Sequence, residues 1–225
     1  MLASRLGNNI FDQEMAGLAL AGAAGHLAGV ALGNFWLALI AKPIPVLCLM
    51  AWVSQSKRDR YTLLIMIGLV CSALGDVFMG LPKQYLLAGM GAFALAHMAY
   101  VLAYLRKCTE LRLAYLVPFV IWCGGVYFWL GDGMGALRIP VILYMAVIAV
   151  MMWRAFVWFK AEEGLAAYAF FGALVFALSD TLIAITLFSG PFSNDHYYII
   201  MSYWFGQFLI ARSAISGERV SEENL

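Results

Sequence analysis

The run YTLLIMIGLVCSALGDVFMGL, residues 61–81, decides the fold. It is long enough to cross the ~30 Å hydrocarbon of a bilayer as one helix, which takes ~20 residues. Its single charge is Asp76. An ionisable group inside hydrocarbon is expensive, and by default it marks function. The same pairing of apolar span and carboxylate returns in FALSDTLIAI, residues 176–185, around Asp180.

The rest of the chain repeats the pattern. Of 225 residues, 64% are hydrophobic and 12% are charged, and the mean hydropathy is +0.85. A soluble domain carries about 25% charged residues. There is too little polar surface here for one, and the chain reads as an all-α polytopic membrane protein. Eight transmembrane helices are expected, at 13–33, 35–54, 61–81, 84–105, 112–130, 136–159, 164–188 and 196–214. They form a single domain over residues 1–215, followed by a polar tail, SGERVSEENL, at 216–225. The start reads as a spanning helix and not as a cleavable signal peptide. Its glycines, Gly17, Gly22, Gly25 and Gly29, favour close helix contact.

Charge sets the direction. With the N-terminus in the cytoplasm, the inner loops and tail hold Lys57, Arg58, Arg60, Arg106, Lys107, Arg112, Lys160 and Arg219. The opposite side holds only Lys83 and Arg138. This is a positive-inside bias with both termini cytoplasmic. Arg154, near the cytoplasmic end of its span, is expected to snorkel. IPVLCLMAW at 44–52 resembles IPVILYMAV at 139–147, and Asp76 and Asp180 follow in the third and seventh spans. These similarities suggest two parallel four-helix repeats, although the proline and aspartate spacings differ by several residues.

Some functions are excluded. The net charge is +1 and no basic stripe exists, so nucleic acid is not a partner. Cys48, Cys71, Cys108 and Cys123 share no metal-binding spacing and read as buried small hydrophobes. There is no GxSxG elbow and no HExxH motif.

What remains is a set of buried polar residues: His26, Lys42, Asp76, His97, Asp180 and Gln207. At ~1.5 Å per residue, the first three and Asp180 fall about 7–12 Å from the non-cytoplasmic boundary, with His97 and Gln207 deeper. Ser72 shares a helix face with Asp76, Tyr100 and Tyr104 share one with His97, and Tyr203 shares one with Gln207. Pro43 and Pro45 directly follow Lys42, so a non-uniform helix is expected there. Two carboxylates close together in low dielectric do not ionise independently, so one becomes a general acid while the other stays charged. A lysine compensates that charge or holds a phosphate. The kit suits acid-catalysed hydrolysis of a membrane-borne substrate. It equally suits a proton relay in a transporter.

The stretches KPIP (42–45), SALGD (72–76), GAFALAHMAY (91–100), FALSDTLIA (176–184) and YWFGQFLIARS (203–213) resemble the YhhN/TMEM86 family, the lysoplasmalogenases. The resemblance covers nearly the whole chain. It implies an eight-span hydrolase of the bacterial inner membrane. The bond cleaved is the vinyl ether of a lysoplasmalogen, a single-chain lysophospholipid that arrives from the bilayer. The products are a fatty aldehyde and glycerophosphoethanolamine or glycerophosphocholine. No cofactor and no metal are implied. The family's lysine, aspartates, histidine and glutamine map onto Lys42, Asp76, Asp180, His97 and Gln207. In this chemistry the slow step is proton transfer to carbon, giving an oxocarbenium ion like that of glycosidases. Asp76 and Asp180 are the catalytic pair. Asp180 is taken as acid and Asp76, beside Lys42, as the charged member, with the reverse assignment open. Lys42 and His97, with Tyr100, Tyr203 and Gln207, are expected to bind substrate or give electrostatic support. A lysolipid-binding protein without catalysis is the other alternative.

Overall fold

The structure is a computed structural model. It describes the backbone of residues 2–215 and the side chains of residues 12–215. The expected polar tail at 216–225 lies outside the described residues. Among the described residues there are nine α-helices, three 3-10 turns and no strand. The helices are α1 (Leu2–Ala31), α2 (Phe35–Ala41), α3 (Ile44–Val53), α4 (Arg60–Gly80), α5 (Leu86–Lys107), α6 (Val117–Leu130), α7 (Arg138–Ala161), α8 (Leu165–Phe188) and α9 (Asp195–Ser213).

Local chemistry sets the boundaries. Asn34 Oδ1 accepts from the Leu37 amide and opens α2, and Asp59 Oδ1 accepts from the Thr62 amide and opens α4. Prolines occupy the first turns of α3 and α6, where a missing N–H is harmless. The expected second span is broken. Lys42 caps α2 and donates its amide to Ala38, and Pro43 begins α3. The break falls where proline removes a backbone donor.

Six stretches are long and apolar enough to cross a membrane. They are Asp12–Ala31, Phe35–Val53, Arg60–Gly80, Lys83–Lys107, Leu113–Ala161 and Leu165–Phe188. The fifth holds both α6 and α7, joined by a 3-10 turn at Gly131–Leu137. α9, with Asp195, His196, Gln207 and Arg212, is not among them. Trp36, Phe128, Trp129 and Leu32 lie on the outside, each more than half exposed. Such an apolar exterior suits lipid and not water. This is a multi-pass membrane protein.

Short connections make successive long helices antiparallel. The turns at 81–85, 131–137 and 189–194 gather at one end, called the upper end below. The loops at 54–59, 108–112 and 162–164 gather at the lower end. α4 packs on α5, α5 on α7, α7 on α8 and α8 on α9, while α3 closes the ring against α4 and α9. α6 leans on α7 from outside, and α1 covers α2 and α3. Helix contacts are close where glycine allows. A Cβ on Gly206 would stand 2.8 Å from the Phe176 amide nitrogen, so α8 and α9 meet backbone to backbone. A Cβ on Gly29 would meet Ala38 nitrogen at 2.5 Å, fitting the close contact expected of α1.

Arg154 differs from expectation. It does not snorkel to the surface but is 2% exposed, and its guanidinium donates to the carbonyls of Glu110 and Cys108. Those carbonyls lie at and just after the C-terminus of α5, where orphan acceptors favour a cation. Two tryptophans are internal as well. Trp153 and Trp158 are buried, and Trp153 Nε1 donates to Arg112 oxygen.

Candidate active site

The centre of the bundle is polar in two places. The first is on α8. Asp180 Oδ2 accepts the Tyr144 hydroxyl from α7 at 3.0 Å and lies 2.9 Å from His97 Nε2 on α5. His97 is fully buried, and its Nδ1 has no hydrogen-bond partner in the protein. The tautomer follows from that asymmetry. The carboxylate oxygen needs a donor, so the His97 proton sits on Nε2 and Nδ1 is bare. Both of these contacts fall on Oδ2 and leave Oδ1 without one. Asp180 borders an apolar cleft between α4, α5, α6, α7 and α8. Asp180, Tyr144, Phe93, Trp122, Met145 and Ile148 line it. Trp122 Nε1 donates to Thr181 Oγ1 at 3.2 Å and joins α6 to α8 at its wall.

The second centre joins the break between α2 and α3 to α4 and α9. Lys42 Nζ stands 3.6 Å from Asp76 Oδ1, and the Tyr203 hydroxyl donates to Asp76 Oδ2 at 2.7 Å. Asp76 is 1% exposed. Below it, Gln207 Nε2 donates to Ser72 Oγ and Gln207 Oε1 accepts from the Tyr100 hydroxyl, both at 2.8 Å. Each buried polar atom of the Gln207 amide thus has a partner, as a low-dielectric interior requires. Ser72 shares a face with Asp76 but bonds to Gln207 instead.

The two aspartates sit in separate hydrogen-bond clusters. Aromatic rings stand between the clusters. Phe176 contacts His97 at 4.6 Å and Tyr203 at 5.4 Å between ring centroids. Phe93 meets Tyr203 at 5.7 Å and also lines the cleft. Asp76 therefore stands behind the cleft wall, and Asp180 stands on it. His26 joins neither cluster. Its Nδ1 bonds Ala38 oxygen at 2.8 Å, and its Nε2 meets His196 Nε2 at 3.0 Å, tying α1 to α9. Ser179 and Thr181 bond to the carbonyls of Ile199 and Ala177 and leave Asp180 to His97 and Tyr144. Among the described residues, no group of three His, Cys, Asp or Glu side chains is placed to hold a metal ion.

Tyr144, His196, Phe93 and Phe176 were not singled out from the sequence. Tyr144 did carry a signal, since it is a phenol inside the apolar run IPVILYMAV, and a buried phenol usually has a partner. His196 sits at the start of the last expected span and reads as loop chemistry. The two phenylalanines have no sequence signal that separates them from ordinary packing.

A helical bundle with an apolar exterior, and with carboxylates held by lysine, histidine and tyrosine inside it, defines a multi-pass membrane protein with a buried polar centre. The chain belongs to the YhhN family, whose model matches residues 37–214. It is 35% identical to human lysoplasmalogenase TMEM86B over 184 residues, 80% of this chain and 76% of that protein. It is 33% identical to bovine lysoplasmalogenase TMEM86A over 207 residues, 84% of this chain and 82% of that one. An Escherichia coli O6:H1 protein named uncharacterized membrane protein YhhN is 29% identical over 185 residues, 80% of this chain and 88% of its own. No solved structure matches the chain.

Proposed function

We propose that this protein hydrolyses the vinyl ether bond of a lysoplasmalogen, releasing a fatty aldehyde and a glycerophosphodiester. One observation carries the reading: Asp180, braced by His97 and Tyr144, stands on the wall of an apolar cleft. Two relatives bearing the lysoplasmalogenase name support it.

Protonated Asp180 gives its Oδ1 proton to the β carbon of the vinyl ether. The double-bond electrons form the new C–H bond, and the α carbon becomes an oxocarbenium ion. Water adds to that carbon, and its surplus proton returns to Asp180. The resulting hemiacetal collapses: its C–O bond to glycerol breaks, its hydroxyl proton passes to the glycerol oxygen, which leaves as an alcohol, and the aldehyde remains. As Asp180 gives up its proton, negative charge grows on its carboxyl. The Tyr144 O–H and the His97 Nε2–H already point at Oδ2, so no reorganisation is needed. Lys42, Asp76 and Tyr203 hold the break between α2 and α3 against α4 and α9 behind Phe93, and Asp76 adds negative charge toward the developing cation. Tyr100 and Gln207 fix that centre from below.

The same reading includes eight crossings by a single domain over residues 1–215, with the two repeat blocks parallel. Both termini face the cytoplasm of a bacterial inner membrane. The loop charges support this orientation, and the 49-residue stretch Leu113–Ala161, far too long for one crossing, supports two crossings there. The substrate is a single-chain lysophospholipid reaching the cleft from the bilayer.

The test is aldehyde release from a lysoplasmalogen by purified protein in detergent. Wild type is expected to release aldehyde. Asp180→Asn is expected to lose about 10³-fold in kcat while staying folded. Full activity in Asp180→Asn would overturn the acid assignment, and no aldehyde from wild type would overturn the function.

A further inference from the structure

At its upper end the cleft adjoins a second cavity, and Met79, Leu187 and Phe188 line both. The second cavity is also walled by Lys83, Gly133 and Leu137. Its lining is apolar apart from Lys83 and backbone. Among the described residues no carboxylate is paired with Lys83, whereas Arg138, at the start of α7, is tied to Asp132 at 2.8 Å. Gly133 lies so close to the Phe188 carbonyl that a Cβ there would stand 2.0 Å from the oxygen. The turn is thus drawn against the end of α8, and the cavity mouth is shaped by backbone.

The other basic side chains near the site are engaged. Lys42 faces Asp76, and His97 faces Asp180. The lengths also agree. From Asp180 to the end of α8 at Phe188 is about 12 Å along the helix. An extended glycerol backbone separates vinyl ether oxygen from phosphorus by about 6 Å, and a lysine side chain reaches about 6 Å more.

We propose that this upper cavity seats the anionic phosphodiester of the lysophospholipid, held by Lys83, while the glycerol lies along the cleft and the vinyl ether meets Asp180. The inference rests on the hydrolase reading and assigns its headgroup site. Lys83 then separates phosphate-bearing substrates from neutral ones, because an unpaired ammonium at the mouth of an apolar cavity gains most from an anion.

The experiment uses the whole protein in dodecyl maltoside, a detergent without phosphate. Binding of a non-hydrolysable 1-alkyl lysophospholipid is compared with binding of the matching 1-alkylglycerol, for wild type, Lys83→Ala, Lys83→Glu and Lys83→Arg. Kinetics on the 1-alkenyl forms of both run alongside. Lys83→Ala is expected to weaken the phosphate-bearing ligand about tenfold, in Kd and in KM, with kcat held and the alkylglycerol unaffected. Lys83→Glu is expected to weaken it further, and Lys83→Arg to restore it. Equal losses for both ligands, or none for either, overturn the proposal. Because binding is read without turnover, a wild type that makes no aldehyde refutes the hydrolase reading while the binding comparison still decides the site.

Discussion

At the scale of single residues, the site depends on what each buried polar atom touches. Tyr144 acts through Asp180, so Tyr144→Phe keeps the ring and removes only the O–H that meets the growing charge. The expected result is a kcat lower by about tenfold with KM unchanged, measured by steady-state aldehyde release. A change in KM alone would point to substrate contact instead. The Lys42–Asp76 pair makes a different statement. Removing one partner of a buried pair leaves an uncompensated charge, at a cost of about 3 kcal/mol, whereas replacing both with uncharged groups is nearly neutral. Asp76→Asn is therefore expected to lower the thermal midpoint in detergent, and Lys42→Met with Asp76→Asn together to recover most of the loss. A double variant no more stable than the single one would contradict a pair held chiefly by charge. The sequence showed that Lys42, Asp76, His97 and Asp180 were out of place in hydrocarbon. It did not show that Tyr203 serves one aspartate and Tyr144 the other.

At the scale of elements, the contacts between helices carry the site. α8 bears Asp180 and Phe176, and it meets α9 at Gly172 and Gly206, where an added Cβ would lie 2.8 Å from backbone nitrogen of the other helix. Backbone cannot yield as a side chain can. Gly206→Ala is expected to destabilise the protein by about 1–3 kcal/mol, read as a lower thermal midpoint, and to lower turnover by shifting Phe176. α4 depends on its cap. Partial burial alone would raise the Asp59 carboxyl, but its hydrogen bonds from Thr62 and the charge of Lys107 outweigh burial and hold it below the ordinary carboxylate range. This contribution to stability is complete above the ordinary carboxylate range and is lost as pH falls through the depressed value. Asp59→Ala is expected to lower the thermal midpoint at neutral pH, with the gap to wild type closing in strong acid. The break between α2 and α3 was legible, because Pro43 and Pro45 follow Lys42 in sequence. The inward turn of Arg154 was not, since its partners are carbonyls of a loop more than forty residues away.

At the scale of the whole molecule, the chain is an apolar bundle whose two polar centres lie on either side of an aromatic wall, with Asp180 alone on the cleft. With the loops as charged as they are, a periplasm-active reporter fused in the turn at 131–137 is expected to be active. A cytoplasm-active reporter fused after residue 215 is expected to be active as well. The reverse pattern would invert the orientation and leave the bundle unchanged. The sequence by itself determined that the protein is helical and lies in a membrane, and that His26, Asp76, His97 and Asp180 are buried. Hydropathy and the expense of charge in hydrocarbon are local properties, readable one span at a time. Only the tertiary structure decided the partners: Lys42 and Tyr203 for Asp76, His97 and Tyr144 for Asp180, with Phe93 and Phe176 between. A helix that is apolar all round has no stripe to declare its inward face. Its rotation about its own axis is fixed by close packing against neighbours such as Gly172 and Gly206, and that rotation alone put Asp180 on the cleft and Asp76 behind it.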